Sequence, residues 1–367
     1  MAEARTAAEI SKTELAVSEK DNFNAVDITK FIMSFFIIAI HTFSLFFSSE
    51  IANTFVSGTL IRTAVPFYFV ASGYFFFRDI NFDGGKIKKC PENRRKFLKF
   101  LKRNVQLYLI WMVIYLIWQI FQWYKLDRLS FSSLKGYVLA VFLRGFSAQF
   151  WYVLFMIYAV IILYFLLRLV SYRVIYPILV LVFISAVLYY SYGFAFPESV
   201  MATAEKIFAP KIFGFSFHFY MLCFSLALFC AGLIASKIRD GISLKASGFI
   251  ALVLFILLFT ESSTIHRLDE SAITSYIFLG LPFALFLFIF LSKVNLREGK
   301  MFLKFRKMST FIYCFHFLPV IIISFFVPDF TDHAYSFFIV SAISLVFALA
   351  VVFLSEKKAF KFLKYLY

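Results

Sequence analysis

Apolar residues fill stretches of about 20 positions along most of this chain, and short polar or basic segments separate them. That spacing matches helices crossing a bilayer whose hydrocarbon core is ~30 Å thick. Ten spans can be marked: Ile28 to Phe47, Leu60 to Phe77, Val105 to Trp123, Phe150 to Leu167, Val174 to Tyr192, Phe217 to Ala235, Ser247 to Thr260, Ile273 to Leu291, Phe311 to Val327 and Ser336 to Leu354. The seventh is the shortest. No internal repeat or low-complexity linker divides them. The chain therefore reads as one all-α domain, a polytopic bundle of about ten transmembrane helices over residues 25–355. An N-terminal tail, 1–24, and a basic C-terminal tail, 356–367, flank it.

Composition agrees and charge supplies the orientation. Hydrophobic residues make up 62% of the 367 positions and mean hydropathy is +0.84, whereas apolar residues are about half of a soluble domain. The net charge of +16 raises the question of nucleic acid, but its distribution answers it. With the N-terminus in the cytoplasm, 29 of the 37 Lys and Arg fall on the cytoplasmic side, 7 in the outer loops and Arg62 inside a span. This is the bias of the positive-inside rule, so both termini are expected in the cytoplasm and no nucleic-acid partner is expected. Met1 to Asn24 lacks the basic region, short apolar core and cleavage site of a secretory signal, so the first span is expected to stay as an anchor. Cys90 lies in a cytoplasmic loop, and Cys223, Cys230 and Cys314 lie in spans, with no Cys-x-x-Cys or Cys/His ligand spacing. Neither a disulfide framework nor a metal site is predicted.

Ionisable groups within spans are expensive and mark functional sites. Lys30 and His41 have ten residues between them in DITKFIMSFFIIAIHTF, which places them on one helix face, three turns and ~16 Å apart. Arg62 enters the second span from the outer side at a depth similar to that of His41. It either joins His41 or snorkels to the outer headgroups. In the same span Pro66 breaks a backbone bond, and Ser72-Gly73 offers a small surface for a helix or a ligand. The cytoplasmic segment CPENRRKFLKFLKRN interleaves Arg94, Arg95, Lys96, Lys99, Lys102 and Arg103 with Phe and Leu. It suits a basic amphipathic helix on anionic lipid or a site for a phosphate-rich ligand. Gln149, Trp151 and Tyr152 cluster at the outer start of span four. Ser309, Tyr313 and His316 share span nine, where His316 either adds to a polar interior or serves as a structural hydrogen-bonding group. Asp27, three residues before Lys30, is expected to orient that lysine or cap the helix.

Four ordered segments carry a family resemblance. DITKFIMSFFIIAIH is similar to a basic-x10-His opening, and RTAVPFYFVASGYFFF to an Arg-x-x-x-Pro-Phe-Phe-x-x-Ser-Gly-Tyr span that includes Gly73 and Tyr74. FWYVLFMIYAVII is similar to a Leu-Trp-Phe/Tyr-Leu segment, and STFIYCFHFLPVII to a late Tyr-x-x-His helix. Together they resemble the acyltransferase 3 family of bacterial integral membrane acyltransferases. The departures are Lys30, where Arg is commoner, and Gln149-Phe150-Trp151, where many members have His-Leu-Trp.

The resemblance implies an O-acetyltransferase-like enzyme of the bacterial cell (inner) membrane. Its donor is cytoplasmic acyl-CoA, typically acetyl-CoA, and its acceptor a glycan or other envelope hydroxyl, as in cell-envelope polysaccharide modification. Under it, His41 and Arg62 are the catalytic candidates. Lys30, Arg94, Arg95, Lys99, Lys102 and Arg103 are the donor-binding candidates, and Asp27, Ser72, Gly73, Tyr74, Gln149, Trp151, Tyr313 and His316 are supporting. A neutral imidazole can take the acceptor's proton as it attacks the thioester, or can itself be acylated and pass the group on. Arg62 or Ser72 would face the developing oxyanion. The rival reading is a secondary transporter of a small molecule such as an amino acid, since similar membrane modules occur in membrane-bound serine racemases. Acceptor identity, acyl group and oligomeric state are not legible in the sequence.

Overall fold

The polar positions of the first span line up on one face. In α1 (Asn24–His41), Asp27, Lys30, Ser34 and His41 recur at helical spacing, with Ile37 and Ile38 filling the same stripe. Burying that stripe requires protein on it, and the bundle supplies it. The computed structural model describes residues 23–42, 49–269, 277–297 and 299–367. Readings that fall on the tail up to residue 22, on the outer end of span one, or on the start of span eight lie outside those residues.

Among the described residues, nine helices are long and apolar enough to cross a membrane. They form a polytopic helical bundle. The second span is α2 (Ala64–Phe77), entered through a π-helical stretch, Thr54–Leu60, and one 3-10 turn, Ile61–Thr63. Then come α3 (Pro91–Lys125), the short α4 (Phe131–Leu143), α5 (Trp151–Leu169), α6 (Tyr172–Ser191) and the amphipathic α7 (Glu198–Phe208). The rest are α8 (Phe219–Ile238), α9 (Leu244–Leu268), α10 (Gly280–Lys293), α11 (Lys300–Phe315), α12 (Phe317–Phe326) and α13 (Tyr335–Leu354). Helices α11 and α12 make one span with a break at His316. Two two-stranded hairpins, Phe82–Asp83 with Lys86–Ile87 and Lys211–Ile212 with Phe215–Ser216, are the sheet structure among the described residues.

Three details differ from the sequence reading. The seventh span is a full helix of 25 residues, Leu244–Leu268. The eighth is the short one, because α10 starts only at Gly280. There the Glu261 carboxylate accepts from the N–H groups of Phe278 (2.8 Å) and Leu279 (2.9 Å), capping the helix just before its first turn. Finally, the basic cytoplasmic segment is not a separate surface helix. Pro91 at the first helical position starts a continuous helix of 35 residues that runs through the third span.

Helices α2 and α8 form the most extensive contact in the bundle, followed by α1 with α11. The α2–α8 crossing is close because both faces are small: Ala71-Ser72-Gly73 meets Cys230-Ala231-Gly232. A Cβ on Gly73 would lie 2.1 Å from the Phe229 carbonyl oxygen, and one on Gly232 would lie 2.3 Å from that of Val70. Such backbone approach is how helices pack without a hydrophobic driving force between them. By contrast, α3, α9 and α13 present exposed Val113, Ile117, Phe249, Leu252, Val346 and Phe353 to the surroundings, as lipid-facing helices must.

Gly232→Val is expected to force α8 off α2 and destabilise the fold by roughly 1–3 kcal/mol or more, the range for overpacking. Thermal unfolding of the purified variant in detergent checks this. An unchanged midpoint would show that the crossing has room to relax.

Candidate functional site

Two cavities sit end to end inside the bundle, and one tyrosine lines both. The first, of 330 Å³, lies toward the face that carries Lys30 and the N-terminal ends of α3 and α11, called here the basic face. Asp27, Lys30, Ser72, Arg103, Arg306 and Tyr313 are among its walls. Asp27, 3% exposed at its side chain, accepts a bidentate pair from Arg306: Nε to Oδ1 at 2.8 Å and Nη2 to Oδ2 at 2.6 Å. Asp27 is therefore the carboxylate partner of Arg306; the helix start at Phe23 carries no side-chain cap. Lys30 stands with its Nζ 5.0 Å above the Phe75 ring, and its carbonyl accepts from Tyr68 Oη at 2.5 Å. Three cations against one carboxylate leave this chamber net positive.

Of the basic residues in this segment, Arg103 alone lines the cavity, with Phe100 and Asn104 beside it. Arg94, Arg95, Lys99 and Lys102 are exposed on α3 and do not line it. Arg306 was not among the candidates read from sequence, where it counted only toward the charge bias. It lies three and seven residues before Ser309 and Tyr313 on the same helix stripe, which is the signal that marks it.

The second chamber, of 180 Å³, is lined by Ile37, Ile40, His41, Arg62, Val65, Gln149, Trp151, Tyr190, Met221 and Tyr313. Tyr313 closes the way between the two, its hydroxyl donating to the Gln149 carbonyl oxygen. Tyr152 stands beside it, with ring centroids 5.4 Å apart, and its hydroxyl pairs with Ser72 Oγ at 3.0 Å. Tyr68 completes this septum, 6.1 Å from both rings. On the other side, His41 and Arg62 also line a third space of 290 Å³ together with Thr42, Ser57 and Thr331. His41 and Arg62 thus belong to both the inner chamber and the mouth at the face opposite the basic one.

Irregular backbone puts these residues in place. The π-helical stretch leaves Ser57 with a carbonyl that accepts from Arg62 Nε at 3.2 Å, turning Arg62 inward beside His41. Gly145, at φ +76°, turns the chain between α4 and α5; a Cβ there would meet Trp151 N at 2.6 Å. That turn delivers Gln149 and Trp151 to the chamber. The Gln149 amide is engaged elsewhere, donating to Tyr115 Oη at 2.7 Å and accepting from Ser147 Oγ at 2.6 Å. It orders the wall and leaves its backbone carbonyl for Tyr313.

The supporting candidates therefore divide. Trp151 and Tyr313 face the His41 chamber, and Ser72 faces the basic one. Gly73 belongs to the α2–α8 crossing, while Tyr74 packs on Phe23 and Phe288. Of the two candidate oxyanion donors, only Arg62 shares a chamber with His41.

A histidine and an arginine on a path between a basic chamber and the opposite face is an arrangement suited to group transfer, and sequence comparison decides the family. A family model described as an acyltransferase domain matches residues 23–356. The chain belongs to the acyltransferase 3 family. Curated proteins similar to this acyltransferase include an amino-acid racemase of Enterococcus faecalis, 27% identical over 158 residues, which are 43% of this chain and 20% of that protein. Another is a serine/alanine racemase of Enterococcus gallinarum, 24% identical over 265 residues, 71% of this chain and 36% of that protein. The chain thus covers about a third or less of the length of these two relatives. No solved structure matches it.

The Asp27–Arg306 pair gives a test of the basic chamber. Arg306→Met leaves a nearly buried carboxylate without its guanidinium and is expected to cost roughly 1–3 kcal/mol, less than a fully buried pair because the Arg306 side chain is half exposed. Adding Asp27→Asn should restore much of that loss. Thermal denaturation of the single and double variants measures the coupling, and simple additivity of the two losses would show that the pair is not interacting.

Proposed function

We propose that this membrane acyltransferase binds acyl-CoA in the basic chamber and passes its acyl group to a hydroxyl that enters from the opposite face. The observation that carries the reading is the double membership of His41 and Arg62, which line both the chamber behind the tyrosine septum and the far mouth. Lys30, Arg103 and Arg306 supply cations for the diphosphate and ribose phosphate of CoA. The pantetheine arm runs from them along the α1 stripe, which spans ~16 Å between Lys30 and His41. Tyr313 must move aside for the thioester to pass. The 180 Å³ chamber beyond it suits a small acyl group such as acetyl.

His41 then acts as general base. It takes the proton of the acceptor hydroxyl while that oxygen attacks the thioester carbonyl, and the Arg62 guanidinium stands where it can stabilise the oxyanion that develops. Because both substrates reach the same imidazole, direct transfer needs no covalent intermediate. Trp151 and Tyr190 in the chamber wall give apolar faces against which a sugar ring can pack, consistent with an envelope glycan as acceptor. Positive residues gathered on one face support a cytoplasmic donor side in a bacterial cell (inner) membrane.

A second reading is a carrier whose two chambers open alternately to take a small molecule across; the similar proteins are named for amino acids, which makes serine the solute to test. Proteoliposomes separate the two. Supplied with labelled acetyl-CoA and an envelope-polysaccharide fraction, they should transfer label to the polysaccharide, and His41→Ala should reduce this by at least ~10²-fold, the lower bound for losing a general base, at unchanged protein abundance. Serine accumulation without acetyl transfer, or full transfer by His41→Ala, would contradict the proposal.

The donor site has its own signature. Lys30→Gln and Arg103→Gln are each expected to raise KM for acetyl-CoA several-fold, to weaken its salt dependence and to leave kcat within about twofold. A KM that stays at the parent value in both variants would remove these cations from donor binding.

A further inference from the structure

His316 occupies the break in its span. Helix α11 ends at Phe315 and α12 begins at Phe317, and the imidazole between them is completely buried. Its Nδ1 lies 3.0 Å from the carbonyl oxygen of Ile312 and 2.9 Å from that of Tyr313. Carbonyl oxygens only accept, so Nδ1 is the nitrogen that carries the proton. Nε2 is then a bare acceptor, and it is a buried atom with no hydrogen-bond partner. Leaving such a group unmatched costs its desolvation free energy, and a group of this kind in a folded protein calls for a functional account. Beside it stands His41, its ring centroid 5.4 Å away and its plane inclined by 32°. The two rings do not hydrogen-bond in this arrangement, but at this separation a small rotation of the His41 ring, or one bridging water, would join them.

We infer that His316 is a positioning residue for His41: its Nε2 accepts the N–H of the His41 ring, directly or through one water, and so turns the second His41 nitrogen, unprotonated, toward the acceptor hydroxyl. The inference rests on the reading of His41 as the base. Backbone carbonyls fix His316, His316 fixes the tautomer of His41, and His41 meets the substrate. This is the order of orienting group, base and reacting hydroxyl found wherever an imidazole must be held in one protonation pattern.

The proton ledger closes. As the acceptor oxygen bonds to the thioester carbonyl carbon, its proton moves to His41. The resulting imidazolium donates its other N–H to His316 Nε2, and the carbonyls of Ile312 and Tyr313 on the far side of the His316 ring favour positive charge shared between the two rings. When the carbon–sulfur bond breaks, the proton returns from His41 to the CoA thiolate sulfur. Both rings end neutral.

Substitution at 316 separates positioning from packing. In reconstituted enzyme, with acetyl-CoA as donor and an envelope-polysaccharide fraction as acceptor, His316→Phe keeps a flat ring but removes the acceptor atom. Its kcat should fall by about 10²-fold or more, within the ~10²–10⁴ range of general-base effects, with KM for acetyl-CoA within about twofold of the parent. His316→Gln restores an acceptor oxygen and should recover at least about tenfold of that kcat loss. A purely structural histidine predicts the reverse, with Phe tolerated as well as or better than Gln. A kcat for His316→Phe near the parent value, or equal losses in Phe and Gln, would overturn the inference. If the Phe variant does not accumulate, His316→Met against His316→Gln makes the same comparison. Transfer abolished by His41→Ala yet intact in His316→Phe defeats this inference alone, whereas transfer surviving His41→Ala defeats the reading beneath it.

Discussion

The structure depends on the pairing of α1 with the broken span α11–α12. Hydrocarbon offers no partner to a polar side chain, so a helix that carries Asp27, Lys30, Ser34 and His41 on one stripe must have that stripe covered by protein. The covering helix answers at both ends. Arg306 meets Asp27 near the basic face, and His316 meets His41 deep in the bundle. Between these two contacts the stripe is lined by cavity, and the cavity is where chemistry has room.

The irregular pieces of backbone are placed where that cavity needs walls. A π-helical stretch turns Arg62 inward, a left-handed glycine delivers Gln149 and Trp151, and a break in the ninth span buries His316. The first two deliver residues to the His41 chamber and the third packs against His41 itself, as expected where non-helical backbone is tolerated only against protein or a water-filled space. The regular, tightly crossed pair α2 and α8 provides the opposite quality. With Gly73 and Gly232 in backbone contact, it fixes α2, which carries Tyr68 of the septum and Ser72, the hydroxyl partner of Tyr152.

Much of this was legible in the sequence. The stripe joining Lys30 to His41, the depth of Arg62 and the four family segments follow from spacing along single helices, and the structure places Lys30, His41 and Arg62 on two chambers that share Tyr313 as a wall. What was hidden is the rotation of one helix against another. Arg306 reads as one more topogenic cation until α11 is set against α1. Ser72 and Arg62 look equivalent as oxyanion donors until the septum divides them. The four other basic candidates of α3 do not reach the chamber that Arg103 lines, although Lys99, one turn earlier, shares its helix face; what separates them is depth along α3. Span lengths were misread where a side chain ended a helix: Glu261 caps α10 from another helix, and no local pattern announces that.

The central claim is that one imidazole is reached from both faces of the membrane. The most direct measurement is a cryo-EM structure with a non-hydrolysable acetyl-CoA analogue bound. The account predicts the phosphates among Lys30, Arg103 and Arg306, Tyr313 swung aside, and the acetyl carbonyl beside His41 and Arg62. An analogue whose acyl end stops on the basic side of Tyr313, or whose phosphates lie at the mouth lined by Thr42 and Thr331, would contradict it.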